Sequence, residues 1–142
     1  MSSDLQWLLL RNHNSFIVKR VPEGPVFSTE PGNLRNLHSY KYSGLANEKT
    51  IDIRDSSSGI QITTRKKKAS THSVHSARST LTVRNRSGGR RSLGVAASLA
   101  KKGYRADLRA AALGRVSAII ATQKEKKPTP PKKVRGKKAL EA

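Results

Sequence analysis

The basic side chains of this chain are concentrated where its apolar side chains are not. Residues 66–91 carry eight basic and no acidic side chains, but only three of the chain's thirty Leu, Ile, Val and Phe residues. Residues 124–142 carry eight basic and two acidic side chains and two of the thirty. A segment so charged and so short of apolar surface cannot offset its own ordering entropy by burial. A core must therefore come from residues 1–65, with seventeen of the thirty and net charge +2, and from residues 92–123, with eight and net charge +4. The fold expected is α+β: a small body with a short antiparallel sheet packed against helices, plus basic extended segments. The body spans residues 1–123 as a single domain, with a basic flexible connection at about 66–91. Residues 124–142 form a Pro/Lys-rich tail that is disordered until a partner orders it.

Within the first block, Ser3 and Gln6 stand at capping-box spacing ahead of a leucine run, which predicts a short helix over 4–12 with Leu5, Leu8 and Leu9 on one face. Phe16–Val21 is rich in β-branched residues and predicts a strand, with a turn at 22–25 and a return strand at 26–28. Residues 29–49 read as loop. From Thr50 to Arg65 the chain alternates with period two, and this places Ile51, Ile53, Ile60 and Ile62 on one face of a hairpin. That face needs a cover, and the helices are available for it. Leu81 and Val83 offer a short strand inside the basic connection. Ser92 is a candidate cap for a helix carrying Leu93, Ala96, Ala97 and Ala100 on one stripe and ending near Gly103. Leu108, Ala112, Val116, Ile119 and Ile120 mark a second helical face.

The net charge of +20 on 142 residues requires an anionic partner, because a compact body with this excess repels itself. Nucleic acid is the default partner, held by phosphate neutralisation with counterion release. Ten engaged phosphates on a duplex correspond to a slope of about −9 in log K against log salt. The side chains expected to carry it are Lys66, Lys67, Lys68, Arg84, Arg86, Arg90, Arg91, Lys101, Lys102, Arg105 and Arg109, then Lys132, Lys133 and Arg135 of the tail. Contacts of this kind position a protein and carry little sequence information.

Other chemistries find little support. With no cysteine there is no disulfide framework, thiolate metal site or Cys nucleophile. No apolar run approaches the ~18 residues of a membrane span, and the opening leucines lack the basic segment of a signal peptide. His72 and His75 have no carboxylate within 66–91 to complete a metal site, so no metal is expected. Gly44–Thr50 has the final Lys-Thr of a phosphate loop, but Glu48 occupies the place of its second glycine, and no nucleotide or other cofactor is expected. The few acids form no catalytic pairing with a histidine, so neither enzymatic activity nor a small-molecule substrate is expected. Aromatic residues make up 4% of the chain, with no aromatic-rich strand for stacking single-stranded RNA. Tyr40 and Tyr42 read either as a base-stacking pair or as half-buried strand residues.

Two stretches carry a family resemblance. Phe27–Ile53 reads FSTEPGNLRNLHSYKYSGLANEKTIDI, and Tyr104–Ile120 reads YRADLRAAALGRVSAII. With the opening helix and the FIVKR strand, they resemble the eukaryote-specific ribosomal protein family L-twenty-eight of the large subunit, over nearly all of residues 4–123. The resemblance implies a non-enzymatic component of the large cytoplasmic subunit that binds large-subunit ribosomal RNA among neighbouring ribosomal proteins. It further implies assembly through the nucleolus and a place beside eukaryote-specific expansion elements of that RNA. Within the matching stretches it adds Lys41 and Lys49 to the RNA-facing candidates. Asn33, His38, Ser43 and Asn47 are expected to face RNA or to fix the loop.

Two other readings stand beside it. The Lys-Pro tail has the character of a chromatin-compacting protein, but such a protein has no need of an Ile-rich hairpin. An anionic membrane surface calls for a basic helix with bulky apolar residues, whereas the 92–123 helices are rich in Ala.

Overall fold

The alternation at 50–65 produces what period two dictates. In a computed structural model describing residues 2–70, 72–101, 103–125 and 128–130, Ile51, Ile53, Ile60 and Ile62 are all buried. Along the chain come α1 (Ser3–Leu10), β1 (Ile17–Lys19), β2 (Val26–Ser28), β3 (Ile51–Ser56), β4 (Gly59–Arg65), β5 (Arg78–Arg84), α2 (Gly89–Lys101) and α3 (Arg109–Gln123). Short 3₁₀ turns lie at Tyr40–Tyr42 and Ala106–Leu108. The architecture is a small α+β body with two antiparallel sheets, the pair β1–β2 and the meander β3–β4–β5.

In the meander Ile53 stands opposite Ile62, and Asp55 opposite Ile60. Directly opposed residues share a face, so the four isoleucines form one apolar surface. α2 and α3 cover it with Ala96, Ala100, Ala112, Val116 and Ile119, joined by Leu108 from the 3₁₀ turn. The alanines let helix and sheet approach closely. Burying each isoleucine contributes roughly 2 kcal/mol.

Several elements depart from the sequence reading. α2 begins at Gly89 instead of being capped by Ser92, because the Gly88 carbonyl accepts hydrogen bonds from the Arg91 and Ser92 N–H groups and starts the first turn earlier. Ser92 is consequently buried inside the helix. The strand expected over 16–21 pairs only across 17–19. Tyr40 and Tyr42 lie in a 3₁₀ turn and not in a strand. In the basic segment 66–91, seven residues from Arg78 to Arg84 pair with β4 as an edge strand, of which Val83 alone is buried.

The first helix differs most. Ser2, not Ser3, caps it, accepting from the Leu5 N–H at 3.3 Å, while the Ser3 hydroxyl is engaged with the Tyr40 hydroxyl at 2.8 Å. α1 does not cover the isoleucine face: Leu5, Leu8 and Leu9 remain 47–59% exposed. It is tethered instead through Trp7, whose ring lies 4.9 Å from that of His38 and 6.1 Å from that of Tyr40. The His38 Nε2–H donates to the Arg11 carbonyl at 2.7 Å and closes the same junction. Trp7→Ala is therefore expected to release α1 and lower the far-ultraviolet helix signal. The melting transition of the body should move by no more than a few degrees, since α1 contributes no buried residue to the core.

Candidate nucleic-acid interface

The loop between β2 and β3 is fixed by polar side chains buried within it. Glu30 accepts from Asn33 Nδ2 at 3.0 Å and from the Ser43 hydroxyl at 3.1 Å. Asn33 Nδ2 also donates to the Leu37 carbonyl, and Asn47 Nδ2 donates to the Tyr40 and Ser43 carbonyls. The Nδ2 groups of Asn33 and Asn47 and the Ser43 hydroxyl are thus engaged within the loop, and His38 Nε2 at the α1 junction. The path of the loop depends on Gly44, where a Cβ would lie 1.9 Å from the Pro31 carbonyl oxygen.

Two residues before α3 join this loop to the sheet and helices. The Arg105 guanidinium makes a bidentate pair with Asp107, at 2.9 and 2.8 Å, and donates to the Lys49 and Lys41 carbonyls at 3.1 and 2.8 Å. Hydrogen bonding from Arg105, first among the causes, holds the Asp107 carboxyl below the usual carboxylate range. The Tyr104 hydroxyl accepts from the Thr50 and Arg65 N–H groups at 3.0 and 3.1 Å and lies 2.7 Å from the Arg65 carbonyl. It bridges the open end of the β3–β4 hairpin. Arg105, expected among the RNA-facing cations, has its guanidinium engaged inside the protein. For its neighbour Tyr104, no pattern in the sequence signals this bridging role.

Ten other candidate cations among the described residues, Lys41, Lys49, Lys66, Lys67, Lys68, Arg84, Arg86, Arg90, Arg91 and Arg109, are exposed. Only two ion pairs occur among the described residues, Arg105–Asp107 and Arg54–Asp52. Lys66, Lys67 and Lys68 are exposed in the turn after β4, where the Lys66 N–H donates to the Ala77 carbonyl just before β5. Arg84 ends β5, Arg86 lies in the following turn, and Arg90 and Arg91 fall in the first turn of α2; all four are exposed. Two basic clusters therefore stand at the two ends of an edge strand, about 20 Å apart at 3.3 Å per residue. Among the described residues no strand pairs with the outer edge of β5, which adds a row of backbone N–H groups between them. Cations in the first turn oppose the helix dipole, so Arg90 and Arg91 do not serve the stability of α2.

Lys41 and Lys49 are exposed on the β2–β3 loop, and Arg109 is exposed at the start of α3. Lys41 Nζ lies 5.7 Å from the Tyr42 ring centroid. Lys101 ends α2. Lys102, Lys132, Lys133 and Arg135 lie outside the described residues.

Among the described residues, no helix lies over the meander face opposite the isoleucines. Asp52, Arg54, Gln61, Thr63, Arg65, Arg78, Thr80 and Thr82 fall on it by register. The alternation that located the buried isoleucines also located the β3 and β4 members of this set. Loop residues around Gly32, Gly44 and His75 raise its sides into a trough of about 470 Å³.

The described surface thus combines an open polar sheet face with an edge strand whose two ends carry exposed basic clusters. The sequence model of the Ribosomal L28e protein family matches residues 5–122, and the chain belongs to that family. It is 36% identical over 121 residues to the large ribosomal subunit protein eL28 of Dictyostelium discoideum, covering 84% of this chain and 86% of that protein. It is 30% identical over 129 residues to the protein of the same name in Schizosaccharomyces pombe, covering 89% and 96%. The Caenorhabditis elegans protein of that name is 40% identical over 68 residues, covering 48% of this chain and 54% of that protein.

Proposed function

We propose that the chain is a structural constituent of the large cytoplasmic ribosomal subunit, bound to large-subunit ribosomal RNA. The observation that carries this reading, beside family membership, is the pair of unneutralised basic clusters at the two ends of β5. Lys66–Lys68 at one end and Arg84, Arg86, Arg90 and Arg91 at the other engage phosphates about 20 Å apart and hold neighbouring RNA segments in fixed relation. Lys41, Lys49 and Arg109 supplement them from the loop and from α3. Residues 124–142, with Lys132, Lys133 and Arg135, add further cations to this binding. Neighbouring ribosomal proteins complete the surroundings, eukaryote-specific expansion elements are the RNA alongside, and assembly passes through the nucleolus. No catalytic role belongs to this reading.

The test is association of the full chain in cells. It is expected to sediment with large subunits, to persist through a moderate salt wash, and to crosslink to large-subunit RNA. Release by DNase and not RNase would overturn the reading and favour a chromatin protein. Lys66→Gln, Lys67→Gln and Lys68→Gln together are expected to weaken binding to large-subunit RNA. They should also flatten the slope of log K against log salt by roughly 2 to 3. An unchanged slope would show that these lysines stay in solvent.

A further inference from the structure

The trough on the open face of the meander has a definite chemistry. Its floor carries polar side chains from both strands: Gln61 and Thr63 on β4, with Thr80 on β5 opposite Thr63. The Thr63 and Thr80 hydroxyls lie 3.3 Å apart. One of them donates to the other, which leaves one O–H and several lone pairs of the pair unused and facing outward. Arg78 lies on the same face, is exposed, and has no acidic partner among the described residues. Asp52, the acid of this face, is paired with Arg54 at 2.7 Å, so it does not present a bare carboxylate to an incoming anion. Among the described residues no Phe, Tyr or Trp lines the trough; its one aromatic ring is the His75 imidazole at the rim.

Ligands that suit such a floor carry a hydroxyl that both donates and accepts, next to a negative charge. Ribose beside its phosphodiester is that combination, and the 2′-hydroxyl is what separates RNA from DNA at such a site. We propose that the trough seats a stretch of RNA sugar–phosphate backbone, with the Thr63–Thr80 pair and Gln61 contacting ribose 2′-hydroxyls and Arg78 an adjacent phosphate. The trough rests on the RNA-binding reading above and adds to it a preference for RNA over DNA that the basic clusters cannot supply, since phosphates are common to both.

The test compares the full chain's affinity for a 20-nucleotide single-stranded RNA and for the all-deoxy strand of matching sequence, by fluorescence anisotropy at fixed salt. The unaltered chain is expected to favour RNA. Thr63→Val with Thr80→Val removes both hydroxyls at nearly constant shape, on strands that tolerate valine. It is expected to weaken RNA binding about 5- to 10-fold, as loss of one or two hydrogen bonds requires, and to leave DNA binding within about twofold. Thr63→Ser with Thr80→Ser keeps the hydroxyls and is expected to retain the RNA preference. Arg78→Gln is expected to weaken both probes and to lower the salt slope by about 1. Equal affinity of the unaltered chain for the two probes overturns the trough proposal and leaves the RNA-binding reading to the crosslinking experiment. Equal weakening of both probes by the valine pair, or of neither, also overturns it. Failure of the unaltered chain to bind the RNA probe at all overturns both.

Discussion

Replacing Tyr104 with Phe will lower the stability of the fold by about 2 to 3 kcal/mol, although it removes a single oxygen atom. That oxygen serves the backbone of two strands at once. Without it the Thr50 N–H loses its acceptor, the Arg65 N–H its shorter one and the Arg65 carbonyl its donor, at a half-buried site that water reaches poorly. Leaving such groups unmet costs more than the net worth of the bonds, and this is why the effect exceeds that of an ordinary Tyr→Phe change. Thermal unfolding of the two proteins at neutral pH measures it. The same hydroxyl makes stability depend on alkaline pH. Burial, the largest cause, pushes the Tyr104 phenol above its usual range, against the lowering from its backbone bonds and from Arg105 and Arg65. An acid whose pKa is raised by folding contributes stability below its unfolded pKa and loses it as pH rises through the folded value. The unaltered chain is therefore expected to lose stability from about pH 10 upward, and the Phe variant to lose less of it over the same interval. Parallel curves for the two proteins would show that the phenol is not the source.

Converting Arg84, Arg86, Arg90 and Arg91 to Gln together will weaken binding to large-subunit RNA more than loss of the Lys66–Lys68 cluster does. If each arginine neutralises one phosphate, the slope of log K against log salt falls by roughly 3 to 4, and affinity at moderate salt falls by about a hundredfold or more. Folding should hardly change. All four side chains are exposed, and none belongs to an ion pair among the described residues. Arg90 and Arg91 lie at the end of α2 where a positive charge is disfavoured, so the Gln variant should be equally stable or slightly more so. Unchanged binding with an unchanged salt slope would remove this end of β5 from the interface. A large fall in melting temperature would mean that the arginines hold the body together.

Whether a feature was legible in the sequence depended on how near a residue's partner stood in the chain. The isoleucine hairpin was legible because period two is a local signal and its two strands are joined by a short turn. The face of α3 was legible because Leu108, Ala112, Val116 and Ile119 repeat at helical spacing. β5 was visible only as Leu81 and Val83, since an edge strand with one buried residue leaves almost no apolar pattern. Arg105 looked like any other cation of a basic chain. Asp107, its ionic partner, stands two residues away, but the loop it ties down is reached through the carbonyls of Lys41 and Lys49, more than fifty residues away, and backbone acceptors carry no sequence mark. Tyr104 was hidden for the same reason. The leucines of α1 misled in the opposite direction. Their spacing is that of a core-facing stripe, yet Trp7 sets the attachment of the helix, and the isoleucine face is already filled by α2 and α3. Of the candidate interface, the charge runs were plain from composition. The trough required the register of β5 against β4.

The exposed leucines of α1 acquire a different meaning beside the charge map. Residues 1–30 hold three basic and three acidic side chains, so the whole excess of +20 lies in the rest of the chain. An object charged in this lopsided way feels a torque as well as a pull near a polyanion. Its basic elements turn inward first, and the net-neutral segment with α1 gains little from the field. The molecule thus carries its own orientation before any contact forms, which limits the encounter geometries it must sample to reach a docked state.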